Sequence, residues 1–441
     1  MSIIRDTGFE VYLVMLTLLA MPAGGGQGDP VLSGGTNPPV AVAMELTIDD
    51  FVEQLLKTNA ALRSAEASIK AAAERPVQDS ALPNPMLTFS SMDPVDSYKY
   101  PSSMEKRYAI EQSFFFPGKR AARYAISKKG AEAESAMKSG AIRETLLSAK
   151  ATFLDLYATR KAKALARSES SVLDRLARST ETKYRTGQVG QQDVLKVQTE
   201  QTMLRMRLLD LGAKEKELTL RMNELLARSP DTPVGELAAP KRPEISVSIE
   251  DLLNLGDTNS VELAAARLDA EKAGLAVGLA RKNWLPDFKI GVEYQDLRDG
   301  EDTFMVMAGI ELPFARGKNM SELREARMQA IAAAANAERM KRLVERQTLE
   351  IHARVKATIE QYDLYGRELI PQAEARLKAS EAAYESGKAD FMDVLESERF
   401  LLNARLMHVM SETEAARQLA ELECVICIEL KNIPAAGGAT K

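Results

Sequence analysis

The sequence predicts a mainly α-helical, internally duplicated chain with a small β portion, and three observations carry that prediction. "YRTGQVGQQDVL" (184–195) returns as "YESGKADFMDVL" (384–395), with Tyr, Gly, Asp, Val and Leu holding their places. Thr58-Asn59 with Thr258-Asn259, and Ile110-Glu111 with Ile310-Glu311, share the same offset of 200 positions, so one domain-sized unit is written twice. Next, the chain has no proline from about Arg120 to Lys183, and only Pro371 from about Ser321 to Ala383. As continuous helices these stretches would each approach roughly 95 Å, too long to fit inside a globule. Finally, just before each of them the hydrophobic period changes from 3.5 to 2.

Composition agrees with long helices carrying narrow apolar seams. Of 441 residues, 27% are charged and only 5% aromatic. The 58 basic and 63 acidic residues leave a net charge of −5 and are interspersed, without the basic blocks that track a phosphate backbone, so nucleic acid is not an expected partner. With His352 and His408 as its only histidines, no Gly-rich phosphate loop and no nucleophile beside a base, the chain offers little from which to build an enzyme, and no cofactor is expected.

In chain order, "VYLVMLTLLAM" followed by "PAGGG" has the length of a secretory apolar segment, so residues 1–25 read as a signal peptide with a weak basic start. Residues 26–46, rich in Gly and Pro, read as a flexible segment. The first repeat spans 47–230 and the second 248–430, joined by a linker at 231–247, with a tail at 431–441. Thr47 and Ser248 precede acidic first turns and suit helix N-caps. No later apolar run reaches about 18 residues, which excludes a transmembrane helix.

Strands are expected at about 86–92, 108–116, 288–295 and 304–314. In "FKIGVEYQ", Phe288, Ile290, Val292 and Tyr294 share one face, and Lys289, Gly291, Glu293 and Gln295 the other. Tyr108, Ile110 and Phe114 oppose Ala109, Glu111 and Ser113, and Val306, Ala308, Ile310 and Leu312 oppose Gly309 and Glu311; "MLTFSSM" alternates less clearly. Pro83, Pro85, Pro117, Pro286 and Pro313 bracket the strand pairs where a helix must become a strand. One face suits lipid and the other water. Four strands cannot close a barrel, so in a bilayer several chains must share one.

After the strands come the return helices. Leu204, Leu211, Leu218 and Leu225 recur every seven residues with Leu208 and Met222 between them. Leu395, Leu402, Val409 and Ala416 repeat this with Leu406 and Ala420, a knobs-into-holes seam. Cys424 and Cys427 lack the flanking ligands of a metal or redox motif and read as buried packing or a simple disulfide.

From about residue 45 to 430 the chain resembles the TolC-like outer-membrane efflux proteins. The resemblance rests on the two "Y-x-x-G-x5-D-V-L" phrases, "ALPNP", "EQSFFFPGKR" and "NWLPDFKIGVEY", and "FPGKR" is especially similar to members serving heavy-metal efflux. It implies a homotrimer with a twelve-stranded barrel in outer-membrane lipid and a helical periplasmic tunnel, acting as the exit duct of a tripartite pump. The implied partners are a periplasmic adaptor and an inner-membrane pump, the RND type among the candidates. A duct for secreted polypeptides and a soluble periplasmic coiled-coil or adaptor protein are the competing readings. No Cys sits beside the expected cleavage site, so the lipid anchor of some relatives is not supported.

The resemblance also assigns candidate sites. Tip residues are Tyr184, Gly187 and Asp193 in the first hairpin (about 184–193), and Tyr384, Gly387, Asp390, Asp393 and Glu396 in and just after the second (about 384–393). Either the acids complement helix N-termini, or three-fold symmetry makes them carboxylate rings at a gate that favours cations. Asp393 and Glu396 match the family's "D-V-L-D" phrase with Glu as the second acid, and Ala389 stands where TolC has an arginine. Glu111, Lys289, Glu293 and Glu311 would face the barrel lumen, the alternative being the wet face of an ordinary sheet. Met86, Met92 and Met104 are either packing or soft ligands for copper or silver.

Overall fold

The structure, a computed structural model, describes residues 45–92, 105–242, 244–245, 247–298 and 300–430. The expected signal peptide, nearly all of the N-terminal segment, the first hairpin loop with Met104, and the tail lie outside the described residues. Both copies use the same order of elements. Copy one runs α1 (Ile48–Thr58), α2 (Ala60–Asp79), β1 (Met86–Met92), β2 (Glu105–Phe114), α3 (Lys119–Arg185) and α4 (Gln191–Leu225). Copy two runs α5 (Ile249–Asn259), α6 (Val261–Lys282), β3 (Asp287–Leu297), β4 (Thr303–Glu311), α7 (Arg316–Leu364), a π-turn (Tyr365–Leu369), α8 (Ile370–Glu385) and α9 (Phe391–Ile426).

Each copy starts with the same cap. Thr47 Oγ1 accepts the Asp50 N–H at 3.1 Å while Asp50 Oδ2 accepts the Thr47 N–H at 3.3 Å. Ser248 Oγ accepts the Asp251 N–H at 3.1 Å. These bonds satisfy amides that a helix start leaves without a partner. The following helix is then held down by a core that recurs in each copy. Phe51, Leu55 and Leu62 pack with Phe153, Leu156, Leu218 and Met222, and the Phe51 and Phe153 rings lie 6.0 Å apart. In copy two, Leu252 packs with Ile351, Val355, Leu422 and Ile426. Burying each of these large side chains stabilises the fold by about 1.5–3 kcal/mol.

The long helices differ between copies. α3 is unbroken for 67 residues, about 100 Å at 1.5 Å per residue. The equivalent helix of copy two is interrupted by the π-turn directly before Ile370 and Pro371. A proline has no N–H to donate and its ring collides with the carbonyl four residues back; a widened turn accommodates both defects without ending the helix. The return helices differ too. In α4, Leu204, Leu218 and Met222 are buried and Leu208, Leu211 and Leu225 pack beside them. In α9, Leu395, Leu406 and Ala420 are buried but Leu402, Val409 and Ala416 only partly so, while Leu401, Ala404, Ala415 and Leu422 join the core. α9 contacts α3, α7 and α8, so its buried surface is wider than one seven-residue stripe.

The four strands form one antiparallel sheet in chain order, and its central β2–β3 ladder joins the two copies, pairing Glu105 with Leu297 through to Phe114 with Phe288. Where this sheet meets the helices, the "FPGKR" phrase makes the joint. Gly118 takes φ +87°, open to glycine at little cost, and delivers Lys119 into the fold, where it is only 4% exposed. Lys119 Nζ donates to Asp287 Oδ1 at 2.9 Å and to Leu285 O at 2.8 Å, and Asp287 Oδ1 also accepts the Phe116 N–H at 2.7 Å. Arg120 Nε donates to Ser80 O at 2.9 Å, and Lys282 Nζ to Gly118 O at 3.0 Å. The joint of one copy is thus closed by side chains of the other.

Removing one member of such a buried pair leaves an uncompensated group. Lys119→Ala is therefore expected to lower stability on the order of 3 kcal/mol, read as an earlier denaturant midpoint of the detergent-solubilised protein, whereas Lys129→Ala, at a more exposed pair with Glu271, should leave the midpoint nearly unchanged.

Candidate functional site

At both hairpin tips the chain leaves its helix through the same hydrogen-bond pattern. Gly187 (φ +72°) donates its N–H to Tyr184 O at 3.0 Å, and Gln188 N–H reaches Lys183 O at 2.9 Å. Gly387 (φ +70°) bonds to Tyr384 O at 3.1 Å, and Lys388 to Ala383 O at 2.8 Å. This paired closure of a helix C-terminus requires the left-handed conformation at the glycine. The acids that follow sit at helix starts. Asp193 lies in the first turn of α4, 3.7 Å from Lys196 Nζ. Asp390 is the N-cap residue of α9 and donates its backbone N–H to Asp393 Oδ2 at 3.2 Å. Glu396, one turn further, points outward with its side chain 70% exposed and meets Arg376 at 3.3 Å.

The two tyrosines are not equivalent. Tyr184 is 44% exposed, beside a cleft of about 420 Å³ that Val194, Val197 and Gln201 also line. Tyr384 instead packs edge-on against Phe391 at 5.9 Å, and Lys183 Nζ of the first hairpin lies 3.5 Å from its ring centroid. Ala389 offers no cation to this ring; Lys183 does so from the other hairpin, at a position that copy two fills with Ala383. Arg399 of α9 pairs with Glu200 of α4, a second tie between the hairpins. Asp193 and Asp393 stay in their own helices' first turns, so one chain alone does not gather the tip acids into a single cluster.

The strand register sorts the sheet into two unlike faces, because directly opposed residues share a side. One carries Leu87, Phe89, Tyr108, Ile110, Phe288, Ile290, Val292, Tyr294, Phe304, Val306 and Ile310. The other carries Glu111, Lys289, Glu293 and Glu311, together with Glu105, Arg107, Asp287, Met86 and Met92. Most of its charges are matched: Lys289 lies 3.3 Å from Glu111, Arg107 pairs with Glu105 and lies 3.9 Å from Glu293, and Asp287 is held by Lys119. Among the described residues β1 and β4 each have one neighbour only, leaving two unpaired edges.

Among the described residues no helix is long and apolar enough to cross a membrane, and no group of three or more His, Cys, Asp or Glu side chains is placed to hold a metal ion. Cys424 is half-buried and Cys427 buried; burial, with Cys427 nearby, pushes the Cys424 thiol up to about 11, which suits packing and not thiolate chemistry.

The chain is similar to known proteins over most of its length. The family described as "Outer membrane efflux protein" matches residues 51–227 and 252–426, once per copy. The cobalt-zinc-cadmium resistance protein CzcC of Cupriavidus metallidurans is 23% identical over 383 residues, covering 84% of this chain and 87% of CzcC. Among solved structures, the outer-membrane channel OprN superposes with a TM-score of 0.74 at 19% identity, over 86% of this chain and 89% of OprN. The outer membrane protein VceC from Vibrio cholerae does so with 0.72 at 19% identity, over 87% and 95%.

One set of residues above the tips was not legible beforehand. Glu169 of α3 and Glu398 of α9 are 8% and 6% exposed. Burial first, then repulsion from Glu398, pushes the Glu169 carboxyl up to about 7; burial and Glu381 push Glu398 upward as well. A carboxyl held above its ordinary 4.5 stabilises the fold fully below that value and loses this contribution as pH rises through about 7. Wild-type protein should therefore lose on the order of 3 kcal/mol relative to Glu169→Gln between about pH 4.5 and pH 8, measured by paired denaturant titrations.

Proposed function

The chain belongs to the outer membrane efflux protein family, the outer-membrane channels of tripartite efflux pumps, and from that premise we propose that three copies pool their sheets into one barrel that serves as a passive exit for heavy-metal cations. The observation that carries this reading is the sheet with one apolar face, one charged face and two open edges. In hydrocarbon an unpaired strand edge leaves amides and carbonyls without partners, at several kcal/mol for each group. Joining β4 of one copy to β1 of the next removes every edge. β2, β3 and β4, at 10, 11 and 9 residues, have the length of tilted membrane strands. In the closed barrel the charged face, with Glu111, Lys289, Glu293 and Glu311, lines the water-filled lumen.

The helices, the longest some 100 Å, then extend the duct into the periplasm, and the two hairpin tips of each copy form its far end. There Tyr184, Gly187, Asp193, Tyr384, Gly387, Asp390, Asp393 and Glu396 make up the gate region and the contact surface for a periplasmic adaptor, with an inner-membrane pump supplying the energy. Three-fold repetition turns Asp393 and Glu396 into rings of carboxylates, which attract cations to a narrow entrance. The cation assignment draws on CzcC, named for resistance to cobalt, zinc and cadmium. The exposed Tyr184 and its cleft lie on the flank of copy one, where a neighbouring protomer would cover them.

Expression in a Gram-negative host should place the protein in the outer-membrane fraction as a trimer that survives mild detergent and conducts in planar bilayers with a preference for cations. Asp393→Asn combined with Glu396→Gln should reduce that preference severalfold, read from reversal potentials, while leaving the trimer intact. A stable monomer in the aqueous fraction would overturn the duct.

A further inference from the structure

The methionines of the sheet are segregated. Among the described residues its strands hold four, Met86 and Met92 on β1 and Met305 and Met307 on β4, and all four lie on the charged face. The apolar side chains of the other face are instead mainly Leu, Ile, Val, Phe and Tyr. Met86, Met92 and Met305 are more than half exposed on the side that faces water, where a thioether gains nothing from burial. Packing therefore does not account for the choice of residue.

Their arrangement has the form of a ligand set. Met305 stands opposite Glu293, and Met307 opposite Gly291. Gly291 has no side chain, and the Met307 methyl lies over that gap, 3.4 Å from where a Cβ would stand. Met305 and Met307 are two residues apart on one strand, roughly 7 Å along it, so their flexible side chains can converge on one ion with the Glu293 carboxylate beside them. β1 and β4 are also the two strands with open edges. Wherever β4 of one copy meets β1 of the next, about 4.8 Å away, thioethers stand on both sides of the seam. The two cationic side chains of this face, Lys289 and Arg107, are already paired with Glu111 and with Glu105 and Glu293.

We propose that Met305 and Met307, with Glu293 and a β1 methionine of the adjoining copy, form a binding site in the barrel lumen for a soft monovalent cation, Cu(I) or Ag(I). The proposal rests on the duct reading and specifies which ions linger on the way out. Thioethers select soft d10 ions over the borderline and hard divalent ones that carboxylates alone would favour. Nothing but a cation in transit is required, since no bond is made or broken in the protein.

Silver(I) is the probe, and the detergent-solubilised wild-type trimer is the sample. Silver retained after desalting should show sulfur neighbours by X-ray absorption, and Met305→Leu with Met307→Leu should weaken retention by more than about tenfold. Met86→Leu should weaken it less, and Met137→Leu, an exposed methionine on α3, should not change it. These leucine variants keep side-chain volume, and the Met137→Leu control should match wild type in planar-bilayer conductance as well. Unchanged silver retention in the double variant, or displacement of silver by an equal concentration of Zn(II), would overturn the site while leaving the duct standing. Absence of conductance in wild type would overturn the duct instead.

Discussion

A β-ladder cannot leave its edge open in oil. That constraint governs this molecule, because one protomer makes a four-stranded sheet in which β1 and β4 each lack a neighbour. Everything in the β portion answers to it. Proline and glycine confine the strand ends to the helix junctions, the apolar face runs across all four strands, and charge is kept to the opposite side except for the Lys106–Asp296 pair near the loop end of the central ladder. The helices answer to it at one remove. They must reach the sheet with a fixed register, and the buried Lys119–Asp287 contact sets that register by tying the joint of copy one to the first strand residue of copy two.

Duplication gives the two halves equal plans, but packing has made them unequal. Copy one keeps a single unbroken helix; copy two absorbs Pro371 through a π-turn. α9 lies deeper than its counterpart α4, and the Tyr384 ring is covered by Lys183 whereas Tyr184 is open. In a pseudo-symmetric tube the two kinds of hairpin would alternate around the circumference, one more exposed and one more enclosed.

Most of the fold could be read from the sequence because its signals are local and periodic. The 200-residue echo, the proline-free stretches and the alternation in "FKIGVEYQ" each report backbone geometry directly. Even β1, with its weak alternation, takes its sides once Met86 is paired to Glu111. What could not be read depends on contacts between distant segments. Lys119 sat in a phrase recognised as distinctive, yet nothing local says that its ammonium is buried against Asp287, 168 positions away. Lys183 over Tyr384 and the Glu169–Glu398 pair are of the same kind: a helix surface gives its period in sequence but not the identity of the neighbouring helix.

The central ladder of the sheet also shapes how the chain comes to be folded. It pairs residues such as Lys106 and Asp296, 190 positions apart, so the strands of copy one have no inner partner until copy two has been made. Contacts so remote in sequence form late, after the local helical hairpins have nucleated on their own. During that interval an apolar hairpin waits in water with its amides unclaimed, prone to pair with the wrong chain. The order in which the two copies are translated thus sets how long that hairpin stays without its inner partner.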